Sequence, residues 1–596
     1  MITTRTLISF ALLASLALVR GTLSIGHDHH PFLNADLALP RPQLTSSSRN
    51  EARTKMPMAA SDTKMEPAAT LATHHPAHSE ATPAARRISS PDLDQLSADL
   101  GLFRHPAVAL GEFAMAEGAV RGLIATDTVK AGEIMLGVPK YQTLEALSST
   151  SKGARADANP FPFLSDGYCG EAPWDVRMAL TLLYEKRQGE ASDFSSWISL
   201  LPKSGQTTVP FFWQESEIAA LQCPYIQQRL RAQQQKWRDG YRKLRAAMLE
   251  ARAAGRETVD ISEDDFFWAL DVVRSRSIAT SEALYDFRFL PSVVGFSVAE
   301  KLLSSVLDTP EWLSVGLNTL AAIFFSIFAW NAWRVFQRQG GSRFLIPGID
   351  LLNHSSHTET TVEFNGLMGQ FEVPAAEGKS PNEQICLNYG ARSNDQLLQQ
   401  YGFIEEGNPH DTYVIDIIKT LRDPQCISQL RAMAANNGDD EFFATKDDGS
   451  ERLAERLLKR LQQLQQQGYV DMLRTLVIER RVGGRACFDS GSQQLIRFLV
   501  AHGDQETNLP LQRFGEEVSE SNERRASVVL RAAAATELSK LPTTLEQDLT
   551  ELDAGASGSQ NIRAISTRSE PRASQRERLA VRYRVEKKRL LREATS

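Results

Sequence analysis

The spacing of apolar positions along the chain changes between that of strands and that of helices. Residues 121–139 (RGLIATDTVKAGEIMLGVP) form short apolar runs split by turn residues, a pattern typical of strands. Over residues 172–275 the apolar positions recur at helical spacing, and one helix there begins at Ser262 and ends with Arg274 and Arg276. The pattern predicts strands followed by a helical insertion over 172–275.

Strand-like runs return over residues 344–404, and helical spacing resumes after them. This second change predicts an all-α C-terminal domain over 411–596, with a Gly/Ser-rich linker near 552–570. The basic run 587–589 lies among glutamates, so we interpret it as a solvated helix face. The whole pattern predicts an α+β fold in which a domain over 96–410 precedes the helical domain.

The first 95 residues differ in composition from the rest. Residues 1–22 combine Arg5 with an apolar run and small residues, which is typical of a signal peptide. Residues 23–95 are rich in Ala, Ser, Thr and Pro without periodicity, so we predict a disordered, transit-type extension. This leader predicts import into a plastid; the secretory pathway or another membrane is the alternative.

Composition narrows the classes of function. A hydrophobic share of 42% and a charged share of 23% are ordinary for a globular protein, and the net charge of −7 gives no reason to expect nucleic acid as a partner. The five cysteines are odd in number and form no CxxC motif, so neither a zinc cluster nor a disulfide framework is predicted. We therefore expect no metal, and a reducing compartment for the folded part.

Three short segments place polar residues within or beside apolar sequence. The residues are Arg276 in RSRSI, Asp350, Asn353 and His354 in LIPGIDLLNHSS, and Tyr389 and Tyr401 in NYGARSNDQLLQQYGFI. With RGLIATDTVKAGEIMLGVP and FSSWISLLP upstream, and LPTTLEQDLTEL and RERLAVRYRVEKKRLL near the end, they resemble the SET-domain methyltransferases, in the branch typified by the Rubisco large-subunit lysine methyltransferase. The resemblance implies a SET fold of short β-sheets with a threaded (pseudoknot) crossing over 96–410, and a helical substrate-binding domain over 411–596.

The resemblance also implies S-adenosylmethionine as the cofactor and assigns roles to single residues. Arg276 would hold the cofactor's carboxylate, since a guanidinium can bind a carboxylate bidentately. Tyr389 would orient the acceptor amine, and Tyr401 would form the second aromatic wall of its channel. Cofactor contacts are expected from Glu117, Gly118, Gly122, Arg276, Asp350, Asn353, His354 and Tyr389, and catalytic roles from Tyr389 and Tyr401.

The function implied is methyl transfer to a lysine of a protein substrate, non-histone rather than histone, held by the C-terminal domain. Alternatives are an inactive SET-fold scaffold that binds protein, a protein-histidine methyltransferase, and an integral membrane protein of another class. Ile278 stands where the histidine-modifying relatives of this branch have asparagine, which favours lysine. Residues 117–123 (EGAVRGL) are two residues longer than the family's first cofactor loop, which leaves the contact from Glu117 or Gly118 open.

One apolar segment does not fit a soluble enzyme. Residues 312–333, inside an apolar insert over 281–342, contain no charged side chain, and a bilayer span takes ~20 residues. A single crossing would separate Arg276 from Asn353, which the resemblance places around one cofactor. Three interpretations remain: a hairpin or re-entrant membrane insert, a helix lying at the membrane interface, and packing against protein. Membrane attachment by a re-entrant or hairpin insert is the favoured interpretation.

Overall fold

The computed structural model describes residues 85–87, 91–115, 118–147, 161–279, 298, 301, 311–337, 342–437, 449–466, 475–480, 485–563 and 572–595. The fold is α+β, as predicted. The strands are β1 (Ala85–Arg87), β2 (Phe103–Arg104), β3 (Val108–Met115), β4 (Gly118–Ala125), β5 (Ile134–Pro139), β6 (Leu144–Leu147), β7 (Ile278–Ala279), β8 (Ser342–Leu345), β9 (Asn353–His354), β10 (Glu363–Asn365), β11 (Gln370–Pro374), β12 (Gln384–Leu387), β13 (Thr412–Asp416), β14 (Thr475–Arg480) and β15 (Ala486–Phe488).

The helices fall mainly between β6 and β8 and after β12. They are α1 (Pro91–Asp99), α2 (Asp166–Glu171), α3 (Trp174–Gln188), α4 (Ser195–Leu200), α5 (Glu215–Ala219), α6 (Pro224–Ala253), α7 (Glu263–Arg276), α8 (Glu311–Gln337), α9 (Asn394–Tyr401), α10 (Ile417–Leu421), α11 (Pro424–Asn437), α12 (Gly449–Gln466), α13 (Ser490–Leu499), α14 (Gly503–Thr507), α15 (Glu520–Lys540), α16 (Leu545–Arg563) and α17 (Arg572–Thr595). The helices α3 to α7 lie in the region 172–275, where the sequence pattern predicts a helical insertion, and α7 extends one residue beyond it.

The strands form small sheets. One has the order β1-β3-β4-β12-β9, a second β10-β11-β5-β2, a third β6-β8-β7 and a fourth β13-β14-β15. In the first sheet β12 and β9 run parallel, with Cys386 opposite Asn353 and Leu387 opposite His354. This pairing lays the polar end of the LIPGIDLLNHSS segment beside the strand that leads to Tyr389.

Two hydrophobic cores organise these elements. The first is built from the N-terminal sheets with α3 and α7, and the second from β13 to β15 with α15 and α17. Trp213 and Ile226, both within the predicted helical insertion, lie in the second core, and so does Leu398 of α9. The boundary predicted at residue 411 therefore does not separate the cores, because earlier segments cross it.

The N-terminal prediction needs a correction at its end. The predicted disorder over 23–95 is wrong for β1 and for α1, where Leu93 and Leu96 are 3% and 0% exposed. Leu93 and Leu96 share one face of α1, Leu100 follows the helix on the same side, and their burial in the first core accounts for the helix. The signal-like segment 1–22 and residues 23–84 lie outside the described residues.

The C-terminal domain is mainly helical, as predicted, but it is not all-α. β14 lies within residues 411–596, which the pattern predicts as all-α, and its Leu476 and Ile478 are fully buried. Those two residues are two positions apart, which is the spacing of a strand. The predicted linker near 552–570 is also wrong in its first part, because α16 continues to Arg563.

The interpretation of the basic run 587–589 as a solvated helix face is wrong, because two of its residues are buried. Lys587 is 2% exposed and Lys588 is 0% exposed. Both pair with aspartates that are distant in sequence, Asp411 and Asp548 respectively. A buried ammonium needs such partners, which a local charge pattern cannot reveal.

The apolar insert contains the 27-residue helix α8. Trp312 is 73% exposed, Val315 63% and Ile323 49%, whereas Ala321 is 8% exposed. None of the helices in the described part of the chain has the length and apolar character needed to cross a membrane.

Gly402 should be intolerant of a side chain. Its φ is +74°, and an added Cβ would lie 2.6 Å from the backbone nitrogen of Val209. Gly390 has φ +89°, but a Cβ there would meet nothing within 4 Å, so it serves as a matched control. Each alanine should cost about 1–2 kcal/mol of backbone strain. Gly402→Ala should lose about 1–3 kcal/mol more by overpacking, measured by urea unfolding. Equal losses in the two variants would contradict the clash.

Candidate active site

A buried carboxylate ties the end of α7 to the segment between β8 and β9. The side chain of Asp350 is 0% exposed, and its Oδ2 lies 3.1 Å from Nη1 of Arg276. The same nitrogen donates to the backbone carbonyl of Asp350 at 2.8 Å, and the amide of Gly348 donates to Oδ1 at 3.0 Å. Both carboxylate oxygens therefore have partners, as a buried charge requires.

Arg276 is not saturated by these contacts. Its Nε is buried and has no hydrogen-bond partner among the residues that the structure describes. A buried guanidinium N–H without an acceptor is unusual and costs free energy. This donor is available to an anionic group beside α7.

Tyr389 is fixed at both its backbone and its hydroxyl. The hydroxyl donates to the backbone carbonyl of Leu352 at 2.6 Å, and the amide donates to Nδ1 of His354 at 3.1 Å. Burial raises the pKa of the Tyr389 hydroxyl, and the neighbouring Tyr401 raises it further. The phenol therefore stays protonated, with its proton committed to Leu352 and its oxygen able to accept.

Aromatic rings surround Tyr389. Its ring centroid lies 5.1 Å from that of Tyr401 and 4.9 Å from that of His354. The ring of Phe403 lies 6.0 Å from that of Tyr401. Tyr401 ends α9, and the left-handed Gly402 after it turns the chain so that Phe403 joins the cluster. These residues form an aromatic wall in which the hydroxyl of Tyr389 is directed by the carbonyl of Leu352.

His354 is a buried neutral imidazole. Because Nδ1 accepts from the amide of Tyr389, which can only donate, the ring proton belongs on Nε2, although the carbonyl of Leu387 also lies 3.3 Å from Nδ1. Nε2 faces Oε2 of Glu405 at 3.7 Å. Burial lowers the pKa of His354, and the charge of Glu405 opposes this only in part. The ring orients Tyr389 rather than carrying charge.

Gly122 provides the space for Asn353. The amide nitrogen of Asn353 donates to the carbonyl of Arg121 at 3.2 Å. A Cβ at Gly122 would lie 2.5 Å from that nitrogen, and 3.1 Å from the amide nitrogen of Gln384. The glycine predicted from the motif is thus required by a side chain that crosses its strand.

The structure brings most of the predicted residues together. Arg276, Asp350, Asn353, His354, Tyr389 and Tyr401 are linked by the contacts above, and Gly122 adjoins Asn353. Gly118 opens β4 opposite Met115, four residues before Gly122. Glu117 lies outside the described residues.

Sequence reasoning missed two acids near this site. Asp271 lies on the buried face of α7, where burial raises its pKa to about 7, opposed in part by the neighbouring Thr207 hydroxyl and by the charge of Arg276. Its position beside the apolar residues of α7 was the available signal. Glu405 accepts from the amide of Ser356 at 2.9 Å and faces His354. No local pattern distinguishes it from the exposed Glu406.

Comparison with known proteins agrees with the predicted resemblance. Residues 489–591 match the family described as Rubisco LSMT substrate-binding. Mouse SET domain-containing protein 4 is 24% identical over 297 residues, covering 49% of this chain and 54% of that protein. Mouse N-lysine methyltransferase SETD6 is 22% identical over 305 residues, covering 51% and 52% respectively. The chloroplastic [fructose-bisphosphate aldolase]-lysine N-methyltransferase of Arabidopsis thaliana is 23% identical over 452 residues, covering 73% and 71%.

A solved structure, the SET domain of LSMT bound to lysine and AdoHcy, gives a TM-score of 0.49 at 18% identity and covers 85% of this chain and 91% of that one. The chain spans about half the length of the first two curated relatives. The resemblance predicted from the motifs is confirmed as similarity to SET-domain lysine methyltransferases and, over residues 489–591, to their substrate-binding family.

A double-mutant cycle tests the contact between Gly122 and Asn353. Gly122→Ala should lower the free energy of unfolding by about 1 kcal/mol or more, because the methyl group displaces the Asn353 amide from the Arg121 carbonyl. In an Asn353→Ala background the same change should cost less, since the nearest atom is gone. The free energies come from urea unfolding of the four proteins. Strictly additive losses would rule out the steric coupling.

Proposed function

We propose that this chain is a protein-lysine methyltransferase that uses S-adenosylmethionine. The observation that carries the proposal is that Arg276 and Tyr389 both contact residues 350–352, Arg276 through Asp350 and Tyr389 through Leu352. A cation and an oriented phenol thereby lie beside one short segment. The curated relatives named N-lysine methyltransferase support the same reading.

The cofactor would supply an electrophilic methyl group on a sulfonium, together with a carboxylate that needs a fixed cation. Arg276 fits this requirement in part, because Nη1 is engaged by Asp350 while the buried Nε is unpartnered within the described residues. Asn353 and His354 border the same region through the β9–β12 pairing. Asp350 keeps the guanidinium in place. These are the residues that would hold the group.

Tyr389 would orient the acceptor amine. Its hydroxyl proton is directed at Leu352, so the phenolic oxygen can accept a hydrogen bond from the substrate nitrogen. The raised pKa of Tyr389 makes it a poor general base, so it acts by position and electrostatics. The contribution of Tyr389 would then come mainly from holding the acceptor nitrogen in position.

The lysine amine must lose its proton before it can attack. The ordinary pKa of lysine is about 10.4, and an apolar environment lowers it by disfavouring the charged form. Tyr401 and Phe403 line the approach with aromatic surface. The amine would therefore enter this wall neutral, and its proton would pass to water beforehand.

The domain organisation follows the same proposal. The SET domain would occupy about 96–410, with β1 and α1 added at its N-terminal end, and the C-terminal domain would hold the substrate protein. The match over residues 489–591 supports that assignment. A plastid location is proposed from the leader composition and from the chloroplastic relative.

Tyr389→Phe tests the proposal. It removes the hydroxyl that fixes the acceptor but leaves Arg276 in place, so cofactor affinity should stay within about twofold while methyl transfer falls on the order of 10²-fold. Transfer is measured with a tritium-labelled methyl donor on a plastid protein extract, and affinity by calorimetry. Tyr141→Phe, at a position 67% exposed, is the control and should transfer normally.

The outcomes separate the candidate functions. Unimpaired transfer by Tyr389→Phe would rule out the proposal that the Tyr389 hydroxyl orients the acceptor amine. Label recovered on histidine by mass spectrometry would identify histidine, not lysine, as the acceptor. A folded chain without cofactor binding would favour the scaffold.

We also propose that α8 attaches the protein to a lipid surface. Its exposed side chains are predominantly apolar, with Trp312, Val315 and Ile323 among the most exposed, and such a surface is costly in water. If α8 lies in the membrane–water interface, its apolar surface is buried in lipid. The residues around Tyr389 then all stay on one side of the membrane.

Ile323→Glu with Phe325→Glu should abolish flotation of the chain with phosphatidylcholine vesicles. Two charges on the apolar surface oppose burial in lipid. Gln228→Glu with Ala232→Glu, at exposed positions of α6, adds the same charge elsewhere and should float normally. Absence of flotation for the unaltered chain, with a dimer seen by sedimentation, would assign the helix to protein contacts instead.

A further inference from the structure

Two adjacent buried lysines of α17 connect to different parts of the molecule. Nζ of Lys587 lies 2.7 Å from Oδ1 of Asp411 and 3.1 Å from Oδ1 of Asp395. Lys588 pairs instead with Asp548 and donates to Thr543 at 2.7 Å. Lys587 thus reaches α9 and the start of β13, whereas Lys588 reaches α16 and the segment before it.

Asp411, which pairs with Lys587, also accepts hydrogen bonds from Asn394, the first residue of α9. Its Oδ1 accepts from the backbone amide of Asn394 at 2.9 Å, and its Oδ2 accepts from the Asn394 side chain at 3.2 Å. Asn394 is 0% exposed, and Asp395 beside it accepts from the hydroxyl of Tyr583 of α17. The N-terminal end of α9 is therefore held by charged and polar groups of the C-terminal helix.

The same network continues to Tyr389. Asn394 donates to the carbonyl of Glu405 at 2.9 Å and accepts from its amide at 3.0 Å. Glu405 faces Nε2 of His354, and Nδ1 of His354 accepts from the amide of Tyr389. Each link is a direct contact between buried or partly buried groups.

Lys587 is the charge that makes this arrangement stable. Burial alone would lower the pKa of Lys587, but the carboxylates of Asp395 and Asp411 raise it, so the ammonium is retained. Without it, the two carboxylates would face each other uncompensated, which is strongly unfavourable in a protein interior. The end of α9 would then have to move to admit water or a proton.

We propose that Lys587 is a positioning residue of the transfer site, setting from the C-terminal domain the placement of α9 and, through Asn394, Glu405 and His354, that of Tyr389. This inference rests on the function proposed above. It differs from a general stabilising role because Lys588 is also buried and ion-paired, but its hydrogen bonds and ion pairs within the described residues go to Asp548, Thr543 and Gln222 and not to α9. The pair Lys587 and Lys588 is therefore a built-in comparison.

The experiment compares Lys587→Met with Lys588→Met in the full chain. In hydrogen exchange read by mass spectrometry, Lys587→Met should speed exchange at least tenfold in peptides that cover 389–394 and 405–411. Lys588→Met should leave those peptides unchanged and affect 541–551 instead. In methyl transfer, Lys587→Met should lower kcat about tenfold with cofactor affinity within about threefold, because Arg276 and Asp350, which are proposed to fix the cofactor's carboxylate, lie outside the network.

If a single lysine variant does not fold, a charge-balanced double variant replaces it in the experiment. Lys587→Met with Asp411→Asn, and Lys588→Met with Asp548→Asn, each remove one positive and one negative charge, so the net charge is kept. The first variant leaves Asp395 as one carboxylate that still accepts from the hydroxyl of Tyr583. The same contrast in exchange is expected between the two double variants. Identical exchange at 389–394 in the two sets would overturn the positioning role, even if the unaltered chain transfers methyl groups. A chain inactive in transfer but showing the exchange contrast would reject the proposed function and keep the positioning role.

Discussion

The fully buried carboxylate of Asp350 is the constraint on which the site depends. An aspartate at 0% exposure needs a cation and donors, and Arg276 and the Gly348 amide supply them. Meeting this need brings the end of α7 against a segment 74 residues away. The same segment then presents the carbonyl of Leu352 to Tyr389, so one buried charge fixes both a cation and a phenol.

Close backbone approach is the second condition. Gly122 leaves room for the Asn353 amide, and Gly402 lets α9 end against residues 208 and 209, where the hydroxyl of Thr208 donates to the Gly402 carbonyl at 2.6 Å. Both glycines border elements that carry site residues. Rigidity of the aromatic cluster thus comes from tight packing around small residues as well as from hydrogen bonds.

Local motifs sufficed to predict residues that the structure brings together in the candidate site, but not the groups that support them. Arg276, Asp350 and Tyr389 stand in short segments whose polar residues interrupt apolar sequence, a signal that a single chain displays. Glu405 lies next to another glutamate, and Lys587 lies in a charge run typical of surfaces. Their partners come from other elements, so only the fold distinguishes them from solvated charges. The sequence pattern also failed to predict β14, because its alternation of buried and more exposed positions lasts just six residues and follows a strong helical pattern.

Helix α9 contacts both hydrophobic cores, and this has a physical consequence. Leu398 packs in the second core, while Tyr401 three residues later lies against Tyr389, whose ring adjoins the first core. One helix of eight residues is therefore held from both sides. Ion pairs from α17 fix its start, and Gly402 fixes its end. A change in the C-terminal domain that shifts α17 must either break buried charge pairs or move α9 with it. Placement of the tyrosines is thus mechanically joined to the position of α17, and the C-terminal domain is part of the architecture of the candidate site rather than an appended module.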